Sequence, residues 1–133
     1  MSVHEDMGAS DPFRTPGNGF EDVEPFVIAL VSSGAEFNWQ TAKPIRALWL
    51  PEDFFGGFYR TARELRLPLS STLSNLYSTY RFPSSDLARL AEEFSVIGGH
   101  VGYPLSEAAR LAAALLREGL RFSTPVDVLI EGP

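Results

Sequence analysis

Few residues in this chain are equipped for chemistry. His100 stands in Gly98-Gly99-His100-Val101-Gly102-Tyr103, where a glycine-rich loop could place a side chain or turn backbone amides toward an anion. A general base needs an acid to orient it or a nucleophile to activate, and no such residue lies beside His100. Glu92, Ser95, Tyr103 and Asp127 could serve only if the fold returns one of them to the imidazole. The loop also lacks the lysine and the spacing of a phosphate-cradling motif. Serine pairs at 70–71 and 84–85 have no lysine or histidine context to activate them. With no cysteine and two histidines, neither a metal site nor a cofactor is expected. Glu92 and Glu93 read as an outward, solubilising pair on a helix.

A second set of residues suits contact rather than catalysis. Leu67 to Tyr80 is free of charge and lies between Arg66 and Arg81. Read as a helix, its centre places Leu69, Leu73, Leu76 and Tyr80 on one side and Ser70, Ser71, Ser74, Asn75 and Ser78 on the other. A small, uncharged helix face is easier to bury against a partner than a charged one. Interfaces are enriched in tyrosine and arginine and depleted of charge at their centres. The partner-binding candidates are therefore Tyr59, Arg63, Ser74, Tyr77, Tyr80 and Arg81. The bland reading of Tyr59 and Tyr80 is that they complete the core with their hydroxyls at the surface.

The elements that must position these residues follow from periodicity and breakers. Residues 1–24 combine acids with glycines and prolines and read as a disordered acidic tail; 25–133 reads as a single α+β domain. Phe26–Val31 is apolar and β-branched enough for a central strand, with a turn at Ser32-Ser33-Gly34. Phe37 and Trp39 alternate with Glu36, Asn38 and Gln40, the pattern of a half-buried strand. Ile45–Leu50 would complete a meander, and Pro51 opens a helix over about 52–66. After the uncharged helix, Ser84 caps another, with Leu87, Leu90, Ala91 and Phe94 on its buried stripe. Ser95–Tyr103 reads as a short hairpin turning at Gly98-Gly99. Ser106–Gly119 is the clearest helix, and Val126–Ile130 a terminal strand. The strands near the two ends are expected to share one small antiparallel or mixed sheet, packed against three to four short helices.

Charge separates the function classes. The formal net charge of -6 opposes phosphate contacts, so nucleic acid is not an expected partner. Helices at 71–79 and 84–94 would have the shape of a helix-turn-helix, but Asp86, Glu92 and Glu93 give the second the wrong sign. Six bases lie between residues 37 and 81, a region that could receive an anionic group or pair with the flanking acids. No apolar stretch is long enough to span a membrane, and no membrane partner is expected. Met1–Asp6 lacks the basic and apolar regions of a secretory signal, which makes a cytoplasmic location the expectation. Together these features favour a small protein-binding module, of inhibitor, immunity-protein or adaptor type. Its partner would be another protein, a basic one on charge grounds, or a second copy of the chain. The alternative is a small-molecule-binding protein or small enzyme that uses the glycine-rich loop around His100.

Overall fold

Phe26–Val31 is apolar at every position because both faces of its strand are buried. The computed structural model describes residues 25–133, so the stretch read as a tail, 1–24, lies outside the described residues. Four strands form one antiparallel sheet in the order β2-β1-β4-β3. They are β1 (Pro25–Ser32), β2 (Arg46–Pro51), β3 (Thr79–Phe82) and β4 (Val126–Glu131). Helices α1 (Asp53–Glu64), α2 (Leu87–His100) and α3 (Leu105–Gly119) cover one face. The α+β architecture read from the sequence is therefore the observed one, with the first and last strands paired at its centre.

Alternation in the strands divides the molecule into two apolar layers. Phe26, Ile28 and Leu30 of β1 join Leu48, Leu50, Val128 and Ile130 beneath the helices. Phe26 meets Phe55 and Phe58 edge-on, with ring centroids 5.2 and 6.2 Å apart, and Phe58 meets Phe94 at 5.3 Å. Such pairs contribute about 0.5–1.5 kcal/mol each beyond area burial. Val27, Ala29 and Val31 point the other way, with Ala47 and Leu129, into a thinner layer closed by Phe37 and Trp49.

That second layer explains residues 36–40, which form a loop rather than the expected strand. Asn38 nucleates it: its Oδ1 accepts from the amide of Gln40 (2.8 Å), and its carbonyl accepts from the amides of Thr41 and Ala42. Local bonds of this kind displace ladder pairing. The meander is thus reduced to a β1–β2 hairpin whose long loop folds across the outer sheet face. Phe37 and Trp39 still share a side, their rings 4.8 Å apart.

The uncharged helix also does not form. Residues 70–72 make one 3-10 turn, residues 76–77 a turn, and Thr79–Phe82 an edge strand. Serine, threonine and asparagine compete with the helix for its own backbone. Thr72 Oγ1 donates to the carbonyl of Leu69, and Asn75 Oδ1 accepts from the amide of Tyr77. The apolar side survives the change of conformation: Leu73 is buried, and Leu69, Leu76 and Tyr80 pack on the core. With its first helix gone, the helix-turn-helix shape is absent.

No hairpin forms at 95–103: residues 95–100 are the last part of α2, and 101–103 lie in its connection to α3. Ile97 extends the stripe of Leu87, Leu90, Ala91 and Phe94, and Gly98 lies against α3, where a Cβ would meet Ala109 at 3.5 Å. Ser84, read as a cap, makes no side-chain cap bond, and neither does Ser106, where the clearest helix is expected to begin. The amide of Ser84 donates instead to Asp127 Oδ1 of β4 at 3.0 Å. Glu93 is buried rather than outward, while Glu92 faces solvent.

The end of α1 supplies a stability prediction. Arg66 takes a left-handed backbone (φ 58°), its amide donating to the carbonyl of Arg63 (3.2 Å) and that of Leu67 to the carbonyl of Ala62 (2.9 Å). This is the Schellman arrangement, with arginine where glycine is preferred. Relief of the Cβ clash is offset in part by the greater freedom of unfolded glycine. Arg66→Gly is expected to stabilise the fold by about 0.5–1 kcal/mol in urea unfolding; a destabilised variant would contradict this account of the cap.

Candidate functional site

The loop over the outer face stops short of β3. It is anchored at three points: the amide of Ser33 donates to the carbonyl of Pro125, that of Ile45 to the carbonyl of Leu30, and Trp39 Nε1 donates to Glu131 Oε1 at 2.6 Å. Between it and the sheet edge lies a groove of about 550 Å³. Its floor is Leu129 and Glu131 of β4 with Thr79 and Arg81 of β3; its wall is residues 36–40, led by Phe37 and Trp39. Trp39 stacks obliquely on Trp49 (5.8 Å) and keeps 37% of its surface exposed.

The polar groups of the groove are held in place by β4. Glu131 accepts from Trp39 through Oε1 and from Thr79 Oγ1 through Oε2 at 2.7 Å. Asp127 gathers Ser33 Oγ, Arg81 Nε at 3.0 Å and the amide of Ser84. Arg81 Nη2 also donates to the carbonyl of Ser32 at 3.1 Å, which fixes its guanidinium across the sheet. Burial pushes the Asp127 carboxyl up, but the bonds from Ser33, Arg81 and Ser84 outweigh it and hold the group below its ordinary range.

β3 is the free edge of the sheet, and its exposed Thr79 and Arg81 border the groove. Among the described residues, the backbone of Thr79–Phe82 bonds to no backbone group outside the β4 ladder. Its unpaired amides and carbonyls are a template for another strand. An aromatic shelf beside an open edge can receive an extended chain: backbone groups pair with β3 while alternate side chains enter the groove.

The partner-binding candidates are spread over three places. Arg81 lies in the groove. Ser74 and Tyr77 are exposed on the loop that leads into β3, Tyr77 at 73%. Tyr80 points to the core side, against Phe55, and its hydroxyl accepts from the amide of Asn75 at 2.9 Å. Tyr59 and Arg63 pair on α1, the guanidinium carbon 5.7 Å from the ring centre. Sequence reasoning missed Trp39, Glu36 and Glu131 as site residues. The available signal was Phe26–Val31 itself: a strand apolar on both faces needs a second cover, and Phe37-Asn38-Trp39 is the nearest aromatic pair.

His100 ends α2, exposed, with Nδ1 3.0 Å from the carbonyl oxygen of Val96. Among the described residues no carboxylate or hydroxyl hydrogen-bonds it, and no group of three potential metal ligands converges. A recess of about 460 Å³ beside α2 includes Glu93, but that carboxylate already accepts from the amides of Leu69 and Ser70 and from Ser70 Oγ. No described helix is long and apolar enough to cross a membrane. Comparison with protein-family models, with characterised proteins and with solved structures finds no match for this chain.

Proposed function

We propose that this protein is a protein-binding module that holds an extended segment of its partner along β3, with side chains seated in the outer-face groove. The observation that carries this reading is the juxtaposition of an unpaired edge strand with the half-exposed Trp39 and the fixed Arg81. Tryptophan and arginine are the residue types most often dominant in binding energy. Ser74 and Tyr77 sit on the approach to the same edge and could extend the contact. An inhibitor, an immunity-type protein or an adaptor would each work through such a surface.

Peptide display on the immobilised full chain tests the reading, because it selects ligands from random sequences. Recovered peptides are expected to shift the backbone amide resonances of residues 79–82 and 36–40, and Trp39→Ala is expected to weaken them by about tenfold or more. Peptides that shift only α1 or the α2–α3 face would overturn it. So would a chain that self-associates through β3 and leaves no edge free, as measured by sedimentation.

A further inference from the structure

We infer that the segment bound in the groove is basic, and that it carries an arginine or lysine side chain between the ring of Trp39 and the carboxylates of Glu131 and Glu36. This inference rests on the docking reading above and names its partner's chemistry. Four charged groups face the groove or its floor: Glu36, Arg81, Asp127 and Glu131. Arg81 is neutralised by Asp127, its Nε lying 3.0 Å from Oδ2. Among the described residues, Glu131 receives side-chain hydrogen bonds only from the neutral donors of Trp39 and Thr79, and Glu36 has no ion pair. Two negative charges are left beside an exposed indole, and each carboxylate oxygen of Glu131 has a second lone pair to offer. An aromatic face flanked by carboxylates is a site for a cation.

The chain's overall charge points the same way. Six of its seventeen acids and one of its eleven bases precede Pro25, so residues 25–133 are nearly balanced and the excess negative charge is N-terminal. That stretch joins β1 at Pro25, two residues before Val27, which pairs with Glu131. Glu21, Asp22 and Glu24 directly precede Pro25 in the sequence. Acids concentrated in one stretch of the sequence would speed encounter with a cationic partner.

The test uses octapeptides in which threonine alternates with arginine, with its neutral isostere citrulline, or with glutamate. The arginine peptide is expected to bind the full chain about tenfold more tightly than the citrulline peptide at low salt. Its shifts should centre on residues 36–40 and 79–82. Glu36→Gln, whose carboxylate takes no hydrogen bond among the described residues, is expected to reduce that ratio; adding Glu131→Gln should bring it near one. Neutralising Glu21, Asp22 and Glu24 to their amides in the full chain should slow association about threefold and leave dissociation unchanged. Equal binding of the arginine and citrulline peptides in the groove would overturn the basic partner while sparing the docking site. Absence of groove shifts with every peptide would overturn the docking site itself. Preference for the glutamate peptide at Tyr59 and Arg63 would overturn both.

Discussion

Glu93→Ala is expected to lower the free energy of unfolding by about 3 kcal/mol, the largest effect of any single polar substitution in this molecule. Glu93 is 3% exposed and has no cationic partner among the described residues. Its Oε1 accepts from the amide of Ser70 and from Ser70 Oγ, both at 2.7 Å, and the amide of Leu69 lies 3.1 Å from Oε2. These are the orphan donors at the start of the 3-10 turn, and Ser70 is itself fully buried. Alanine leaves the buried Ser70 donors and the part-buried Leu69 amide without their acceptors. Glu93→Gln keeps an amide oxygen for Ser70 but replaces Oε2 with an amide nitrogen that cannot accept from Leu69, so an intermediate loss of about 1–2 kcal/mol is expected. Urea unfolding of the two variants, with exposed Glu92→Ala as control, makes the comparison. An alanine variant within about 1 kcal/mol of the parent would contradict the assigned role.

The second large effect belongs to Asp127, which ties β4 to the β1 turn through Ser33, to β3 through Arg81 and to the lead of α2 through the Ser84 amide. Its removal should cost about 2–3 kcal/mol, less than for a fully buried pair because the Arg81 side chain is 30% exposed. The pH dependence has a definite sign. The folded carboxyl ionises below its ordinary range, so the unfolded chain binds the proton more readily. The stabilisation is complete above the ordinary aspartate value of about 3.9 and disappears as pH falls through the lower folded value. Asp127→Asn should therefore be less stable than the parent at neutral pH, and the gap should close as the solution is acidified into that window. A gap that stays constant would show that Asp127 acts by shape alone. The same variant leaves Arg81 without its counter-ion at the groove, and the arginine octapeptide should bind it more weakly.

The parts of the fold that are legible in the sequence are those where hydrophobic pattern and breakers agree. Phe26–Val31, the helix near 52–66, the stripe of Leu87, Leu90, Ala91 and Phe94, and the alanine-rich α3 all form where expected. Segments that depart from their pattern are those in which polar bonds or close packing, which hydrophobic spacing does not encode, decide the conformation. The 69–80 stretch has helical spacing of its leucines, yet Glu93 and Tyr80 capture its amides and hold it as a turn and an edge strand. Gly98-Gly99 has the composition of a hairpin turn, but a glycine on a helix face also lets α3 approach, and that packing prevails. The groove is illegible for a related reason. Trp39, Arg81 and Glu131 are brought together by a loop crossing and two strand pairings, and no spacing along the chain encodes that meeting.

The most direct test is the crystal structure of the full chain with the arginine octapeptide. The account predicts a fifth strand hydrogen-bonded along Thr79–Phe82, with one guanidinium within about 6 Å of the Trp39 ring centre and in contact with Glu131. A peptide seated on another face, with the β3 edge left bare, would contradict it.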